Sequence, residues 1–180
     1  MKKIQPNQFK EAFLKVVESE SVKPNLVAFW DEGKKYTAFM IEEAFRAIAG
    51  ELGISVYAGN YYYLDAVFYS ERDTEHFAAT TTFAKCLSIA MEHENKIEGS
   101  AVEMNKLQIF NVPLKVLITY AQDSTVRNFH LTRYAKIVQG ADLFGDFATL
   151  RRQLVIFGSI ANDVITWHFY AYESSGFQEI

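Results

Sequence analysis

Three carboxylate side chains fall in two neighbouring β-rich segments of the chain, at spacings that place them on one face of a predicted sheet. Asp65 is the only charged residue in YYYLDAVFY, and Glu92 and Glu94 end the apolar run in CLSIAMEHEN. Alternate side chains of a strand point to the same face, so Glu92 and Glu94 share a face. If the two strands are neighbours, Asp65 lies across from them. Carboxylates this close repel one another unless protons or a cation neutralise them.

The residue types near these acids indicate which cation they would bind. A set of oxygen ligands suits Mg²⁺ or Mn²⁺, whereas zinc favours histidine and cysteine. His93 alternates to the other face of its strand, and no HxxxH or HExxH spacing occurs in the chain. The sequence also lacks the glycine-rich and GxSxG motifs of nucleotide-binding proteins and hydrolases. We therefore predict a site for Mg²⁺ or Mn²⁺ that includes Asp65 and Glu92.

Periodicity and turn residues predict an α/β fold with a mixed sheet for the segment that carries the acids. A helical pattern precedes a predicted hairpin with a Gly59-Asn60 turn, and the Glu92 strand, a helix and a buried strand follow. The strand–helix–strand unit favours a last strand that is parallel to a neighbour. The predicted bounds are helix 35–52, strands 54–58 and 61–70, strand 86–94, helix 98–111 and strand 113–121.

The flanking segments predict an N-terminal helix and a C-terminal hairpin extension of the same domain, which spans residues 1–180. The first helix covers 7–20, and further helices cover 129–138 and 147–152. Strands at 154–160 and 163–173 form an antiparallel pair with Asn162 in the turn. We predict an irregular connection over 71–85.

The order of elements together with an aspartate on the second strand and E-x-E on the third resembles the PD-(D/E)xK superfamily, the restriction-endonuclease-like nucleases. The resemblance covers residues 35–121 and implies an αβββαβ core. It implies that Asp65 is the aspartate of the motif, preceded by Leu64 in place of the usual proline. It further implies that Glu92 is the second acid, and that Glu42 or Glu43 on the first core helix is an additional metal ligand.

The lysine of that motif is the main departure, because Glu94 occupies its place. Some members of the superfamily carry E-x-E, and in others the lysine has moved to the following helix. The sequence EMNKL offers Lys106 for that role, three residues after Glu103. Lys96 and Lys115 are weaker candidates. The resemblance thus implies a catalytic set of Asp65, Glu92, Glu94 and Lys106.

The predicted function is metal-dependent hydrolysis of nucleic acid, with DNA preferred over RNA and a homodimer as the assembly. Two alternatives remain open. One is an inactive binding or assembly protein on the same fold, favoured if no lysine reaches the acids. The other is a small-ligand-binding protein, favoured if Asp65 is sealed among tyrosines. Each acid also has a purely structural interpretation: a hydrogen-bonded Asp65, a solvated strand end at Glu92 and Glu94, and a surface ion pair between Glu103 and Lys106.

Bulk properties agree with a cytoplasmic location without a membrane segment. The chain of 180 residues has a net charge of −4, one cysteine and 22% charged residues. A single cysteine excludes an internal disulfide and suits a reducing compartment. No apolar core of a signal peptide follows the N-terminal lysines, and no run approaches the ~18 apolar residues of a membrane helix.

Overall fold

A computed structural model describes residues 2–70, 74–76, 82–84, 86–174 and 176–180 of the chain. The helices are α1 (Pro6–Val17), α2 (Lys23–Phe29), α3 (Gly33–Phe39), α4 (Phe45–Leu52), α5 (Ser100–Leu107) and α6 (Ser124–Ala141), and a π-helical segment (Met40–Ala44) joins α3 to α4. The strands are β1 (Ser55–Tyr61), β2 (Leu64–Tyr69), β3 (Thr74–His76), β4 (Thr82–Ala84), β5 (Leu87–His93), β6 (Leu114–Tyr120), β7 (Arg152–Ala161), β8 (Val164–Glu173) and β9 (Gly176–Glu179).

A seven-stranded mixed sheet organises the described residues, in the order β1-β2-β5-β6-β7-β8-β9. The pairs β1–β2 and β2–β5 are antiparallel, β5–β6 and β6–β7 are parallel, and β7–β8 and β8–β9 are antiparallel. The α/β class and the mixed sheet predicted from the sequence are confirmed. The predicted parallel partner of the Glu92 strand is β6.

Apolar side chains of the strands alternate between two cores, one on each face of the sheet. One core joins β2, β5 and β6 to the helices α1 to α4, with Phe9, Phe45, Phe68 and Met91 among its fully buried residues. The opposite core joins the other face of the same strands to α5 and α6. Gly53 ends α4 in the left-handed conformation (φ 61°), as its position after Leu52 predicts. Within the described residues, no helix has the length and apolar character needed to cross a membrane.

The position predicted for the turn between β1 and β2, Gly59-Asn60, is wrong. The turn lies at Tyr62-Tyr63, with φ of 50° and 69°, and Tyr61 pairs with Leu64 across it. The side chain of Asn60 accepts a hydrogen bond from the backbone N–H of Tyr63 (2.7 Å), which fixes the chain in this turn. Asn60 therefore supports the turn from inside β1 instead of occupying it.

Other differences from the predicted elements have local causes. The predicted helix over 147–152 is absent, because the Asp142 carboxylate accepts hydrogen bonds from the N–H groups of Asp146 (2.9 Å) and Phe147, and this loop leads directly into β7. α6 begins earlier than predicted because Asp123 caps it through the Val126 N–H (2.9 Å). α2 and β9 were not predicted. Of the stretch predicted as irregular, 74–76 and 82–84 form an antiparallel pair, and the rest of 71–85 lies outside the described residues.

Candidate active site

Lys106 joins α5 to the carboxylates at the ends of β2 and β5. Its ammonium lies 2.9 Å from Glu92 Oε1 and also contacts the carboxylate of Glu103, one helical turn earlier on α5. It donates a third contact to the backbone carbonyl of Tyr63 (2.8 Å), in the β1–β2 turn. One side chain thus connects the helix, the hairpin turn and the end of β5.

The pairing of β2 with β5 brings Asp65 next to Glu92. In this antiparallel pair Ala66 lies opposite Met91, so Asp65 and Glu92 follow at the next position and share a face. Asp65 Oδ2 accepts a hydrogen bond from the backbone N–H of His93 (2.8 Å), and its carboxyl group is close enough to that of Glu92 for each to influence the pKa of the other. The predicted neighbourhood of the two acids is therefore present. We call Asp65, Glu92, Glu103 and Lys106 the acid–lysine cluster.

The helix α5 holds its two charged side chains through apolar contacts on its other side. Ala101, Met104 and Leu107 are buried in the core against the sheet. Glu103 and Lys106, which lie between them in sequence, reach the rim of that core, where about a quarter of each side chain is exposed. The order of apolar and charged residues along α5 thus positions the lysine at the strand ends.

Burial dominates the electrostatics of the cluster. Glu92 is only 1% exposed, and burial raises its pKa to about 9 even though the Lys106 ammonium acts in the opposite direction. Burial also raises the pKa of Asp65, against the His93 N–H, Glu92 and Lys106. For Lys106, burial alone would lower the pKa, but the Glu103 and Glu92 carboxylates outweigh it and the pKa is raised. The lysine is therefore a cation, and the Glu92 carboxyl group holds a proton at neutral pH.

One oxygen of Glu92 remains without a hydrogen bond. Oε1 is fully buried, and the Lys106 ammonium lies 2.9 Å away outside hydrogen-bond geometry. Oε2 of Glu103 is in the same situation. Unsatisfied buried carboxylate oxygens are costly, and they are available to a further positive ligand. No group of three His, Cys, Asp or Glu side chains within the described residues is arranged as a ready metal site.

The remaining predicted ligands and lysines lie elsewhere. Glu94 follows the end of β5, and its Oε1 accepts a hydrogen bond from the Lys96 N–H (2.7 Å) in the turn that leads to α5. Glu42 and Glu43 are exposed on the π-helical segment, whose buried residues pack on the opposite face of the sheet. The catalytic role of Glu94 and the ligand role of Glu42 and Glu43 stay predictions.

The two weaker lysine candidates do not contact the cluster. Lys96 is exposed in the turn after Glu94. Lys115 is buried near the start of β6, where its ammonium lies 4.5 Å from the centre of the Phe147 ring and donates to Gln108 Oε1 (3.2 Å). Of the three lysines considered from the sequence, Lys106 is the one that reaches the acids.

His93 lies on the other face, as strand alternation predicts. Its ring stacks on Tyr36, and Nε2 lies 2.6 Å from the hydroxyl of Tyr120. Burial lowers the pKa of His93 to about 3, so the imidazole is neutral. The side chain of His93 supports the core, and its backbone N–H orients Asp65.

Two groups that contact Lys106 were not predicted as parts of the site. Glu103 was interpreted as the partner of Lys106 in a surface ion pair, and the pair does form, but Lys106 also reaches the strand carboxylates. The signal for this was the position of both residues on the helix that directly follows the acidic strand. The carbonyl of Tyr63 had no signal, because its approach depends on where the hairpin turns.

Comparison with known proteins adds no family assignment: no protein-family model matches the chain, and no curated protein matches it.

Proposed function

We propose that the chain is a metal-dependent nuclease with a restriction-endonuclease-like core, acting through Asp65, Glu92 and Lys106. The observation that carries the proposal is the contact of Lys106 with Glu92 beside Asp65. A lysine that comes from the helix after the acidic strand is the arrangement that the PD-(D/E)xK resemblance implies when the usual lysine position is occupied by another residue.

The order and directions of the core elements support the same proposal. After α4 come β1, β2 and β5, which pair antiparallel in the seven-stranded sheet, with the separate β3–β4 pair inserted in the chain between β2 and β5. The helix α5 and then β6, which is parallel to β5, follow. Apart from the inserted β3–β4 pair, this order is compatible with the αβββαβ core that the resemblance implies. The two acids lie where the second and third of these strands meet.

The donor chemistry of the cluster fits Mg²⁺ or Mn²⁺. Asp65 and Glu92 would hold the ion through carboxylate oxygens, and the buried Oε1 of Glu92 has no hydrogen bond to give up. When bound, such an ion polarises a phosphodiester and makes an attached water more acidic. Burial raises the pKa of Glu92 to about 9, so its proton has to leave when the ion binds, and binding is expected to release a proton.

Lys106 has a separate role in the proposal. Its ammonium remains charged and is partly exposed, so it can approach a phosphate oxygen and hold the negative charge that develops there. Glu103 and the Tyr63 carbonyl limit the positions of the ammonium, because both contact it from the side of α5 and the hairpin. The contact of Lys106 with Glu92 favours this proposal over an inactive binding protein, the alternative that the sequence favours when no lysine reaches the acids.

The test is cleavage of a panel of labelled single- and double-stranded DNA and RNA by the purified chain. We expect products with millimolar Mn²⁺ or Mg²⁺ and none with EDTA. Cleavage of DNA faster than RNA is the expected preference. Absence of products across the panel with both metals would contradict the proposed activity.

A further inference from the structure

The turn between β1 and β2 presents tyrosine side chains to solvent beside the acid–lysine cluster. Tyr62 and Tyr63 occupy the two turn positions and are 67% and 79% exposed, and Tyr57 on β1 is 47% exposed. Tyr61 meets the rings of Tyr57 and Tyr62 edge to face, with centroids 5.7 Å and 5.0 Å away, and Tyr63 is the next residue in the turn. We call these four residues the tyrosine ladder.

The tyrosine ladder adjoins the acid–lysine cluster through the backbone of the turn. Lys106 donates to the backbone carbonyl of Tyr63 (2.8 Å), and Asp65 follows Tyr63 after one residue. The backbone of the turn is therefore in direct contact with the ammonium of the cluster.

Turn geometry does not explain the tyrosines. Both have positive φ (50° and 69°), a conformation that suits glycine and asparagine and that bulky side chains rarely adopt. The β7–β8 hairpin of the same chain has an equivalent two-residue turn with φ of 51° and 59°, and there the residues are Asn162 and Asp163. Two exposed aromatic rings in a disfavoured backbone conformation indicate a functional requirement at the first turn that the second does not share.

We propose that the tyrosine ladder is a stacking platform for the bases of a single-stranded nucleic acid, which would make unpaired strands the substrate class of the acid–lysine cluster; this rests on the proposed nuclease function. Exposed aromatic rings stack on unpaired bases of any sequence. In a duplex the flat faces of the bases are already stacked on one another, so the platform selects strands whose bases are free.

Net charge agrees with recognition through bases. The chain carries a net charge of −4, so attraction of phosphates over the whole surface does not supply the affinity. Stacking on uncharged rings adds affinity without a large basic surface, and the Lys106 ammonium, which contacts the Tyr63 carbonyl, supplies a cation beside the turn.

The experiment measures binding without cleavage, so that it does not depend on the reaction. Fluorescence anisotropy in EDTA and low salt compares a labelled single-stranded DNA, the same sequence as RNA, its duplex, and an abasic strand of equal length. The double variant Tyr62→Asn with Tyr63→Gly carries the residues that this turn type prefers and keeps the carbonyl that Lys106 contacts. The control variant is Phe144→Asn, which removes an aromatic ring that is 83% exposed in the loop before β7.

We expect single strands to bind the wild type more tightly than the duplex or the abasic strand. Loss of stacking on the turn is expected to weaken single-strand binding by about ten-fold or more in the double variant, with Phe144→Asn unchanged. The DNA and RNA arms decide which sugar is preferred. A thermal melt checks that the double variant is folded, and we expect it to be at least as stable as the wild type.

Equal binding by the double variant and the wild type would overturn the platform, as would equal binding of abasic and normal strands. These results are separate from the test of catalysis: a chain that binds through the turn but cuts nothing keeps the platform and loses the nuclease.

Discussion

Glu92 is the residue whose chemistry depends most on its place in the fold. Glu92 is buried near the end of β5, beside the Asp65 carboxyl group, and its Oε1 lies 2.9 Å from the Lys106 ammonium. Burial is the largest influence on its pKa, and the raised value of about 9 keeps a proton on a carboxyl group at neutral pH. The loss of the Glu92 proton is therefore expected to govern both the binding of a metal ion and the dependence of stability on pH.

The stability of the metal-free protein should therefore depend on the protonation of Glu92. The pKa is raised from 4.5 in the unfolded chain to about 9 in the folded one, so the folded state holds a proton that the unfolded chain has lost between these values. The contribution of Glu92 to the free energy of unfolding is full below pH 4.5 and is lost as the pH rises to 9. Within this window the free energy of unfolding falls by about 1.4 kcal/mol for each pH unit. Glu92→Gln removes the titration.

The measurement is denaturant unfolding in EDTA at pH 5, 7 and 9. We expect the wild type to lose a few kcal/mol of stability relative to Glu92→Gln across this range. Glu11→Gln, at an exposed position on α1, is the control and should follow the wild type. Parallel curves for the wild type and Glu92→Gln would show that Glu92 is not the buried acid described above.

At the scale of elements, the position of α5 determines whether Lys106 contacts Glu92. The helix is anchored on the sheet by its apolar residues and on α6 by a buried contact between the Ser100 hydroxyl and the Tyr134 hydroxyl. Ser100 opens α5, and Tyr134 is fully buried on α6. The first turn of α5 is thus fixed by a neighbouring helix, and Lys106 lies on the last turn of the same helix.

Tyr134→Phe removes this contact with little change of shape. Ser100 keeps its second contact with the Ile97 carbonyl, so we expect the free energy of unfolding to fall by about 1 kcal/mol, the usual net worth of one hydrogen bond. Cleavage should also slow modestly, because the position of Lys106 depends on α5. Denaturant unfolding and the cleavage rate measure the two effects. The control is Tyr57→Phe at an exposed tyrosine, which should leave the free energy of unfolding unchanged. An equally unchanged value for Tyr134→Phe would contradict the claim that the contact with α6 anchors α5.

The sequence predicted the elements whose signals are local. Gly53 ends its helix as expected, and the alternation of β2 and β5 placed Asp65 and Glu92 on one face, since alternate residues of a strand share a face regardless of the rest of the fold. The hairpin turn was missed because tyrosines replace the residues that signal it, and a side-chain contact of Asn60 fixes it instead. The contact between Lys106 and Glu92 was a candidate only, because it depends on how α5 packs.

At the scale of the whole molecule, the strands that carry the two acids are one part of a larger sheet. β7 adds a second parallel neighbour to β6, and β8 and β9 extend the sheet away from the cluster. The cluster lies at the other side, between β2 and β5, and is covered by α5. Dimerisation stays a prediction of the sequence.

The central claim, that the acid–lysine cluster hydrolyses phosphodiesters, is tested most directly by the rates of two matched variants. Lys106→Met keeps the length and helix propensity of the side chain and loses the ammonium that contacts Glu92. Glu94→Gln changes the residue in the usual lysine position, whose carboxylate bonds the Lys96 N–H in the turn. Single-turnover cleavage of the best substrate in Mn²⁺ is measured for both variants and the wild type.

We expect the rate of Lys106→Met to fall by about 100-fold or more, the effect of losing one charge-stabilising group in a reaction of this kind. Glu94→Gln should retain a rate close to that of the wild type, because its carboxylate serves the turn. A Lys106→Met protein that cuts as fast as the wild type would contradict the claim that this cluster is the active site.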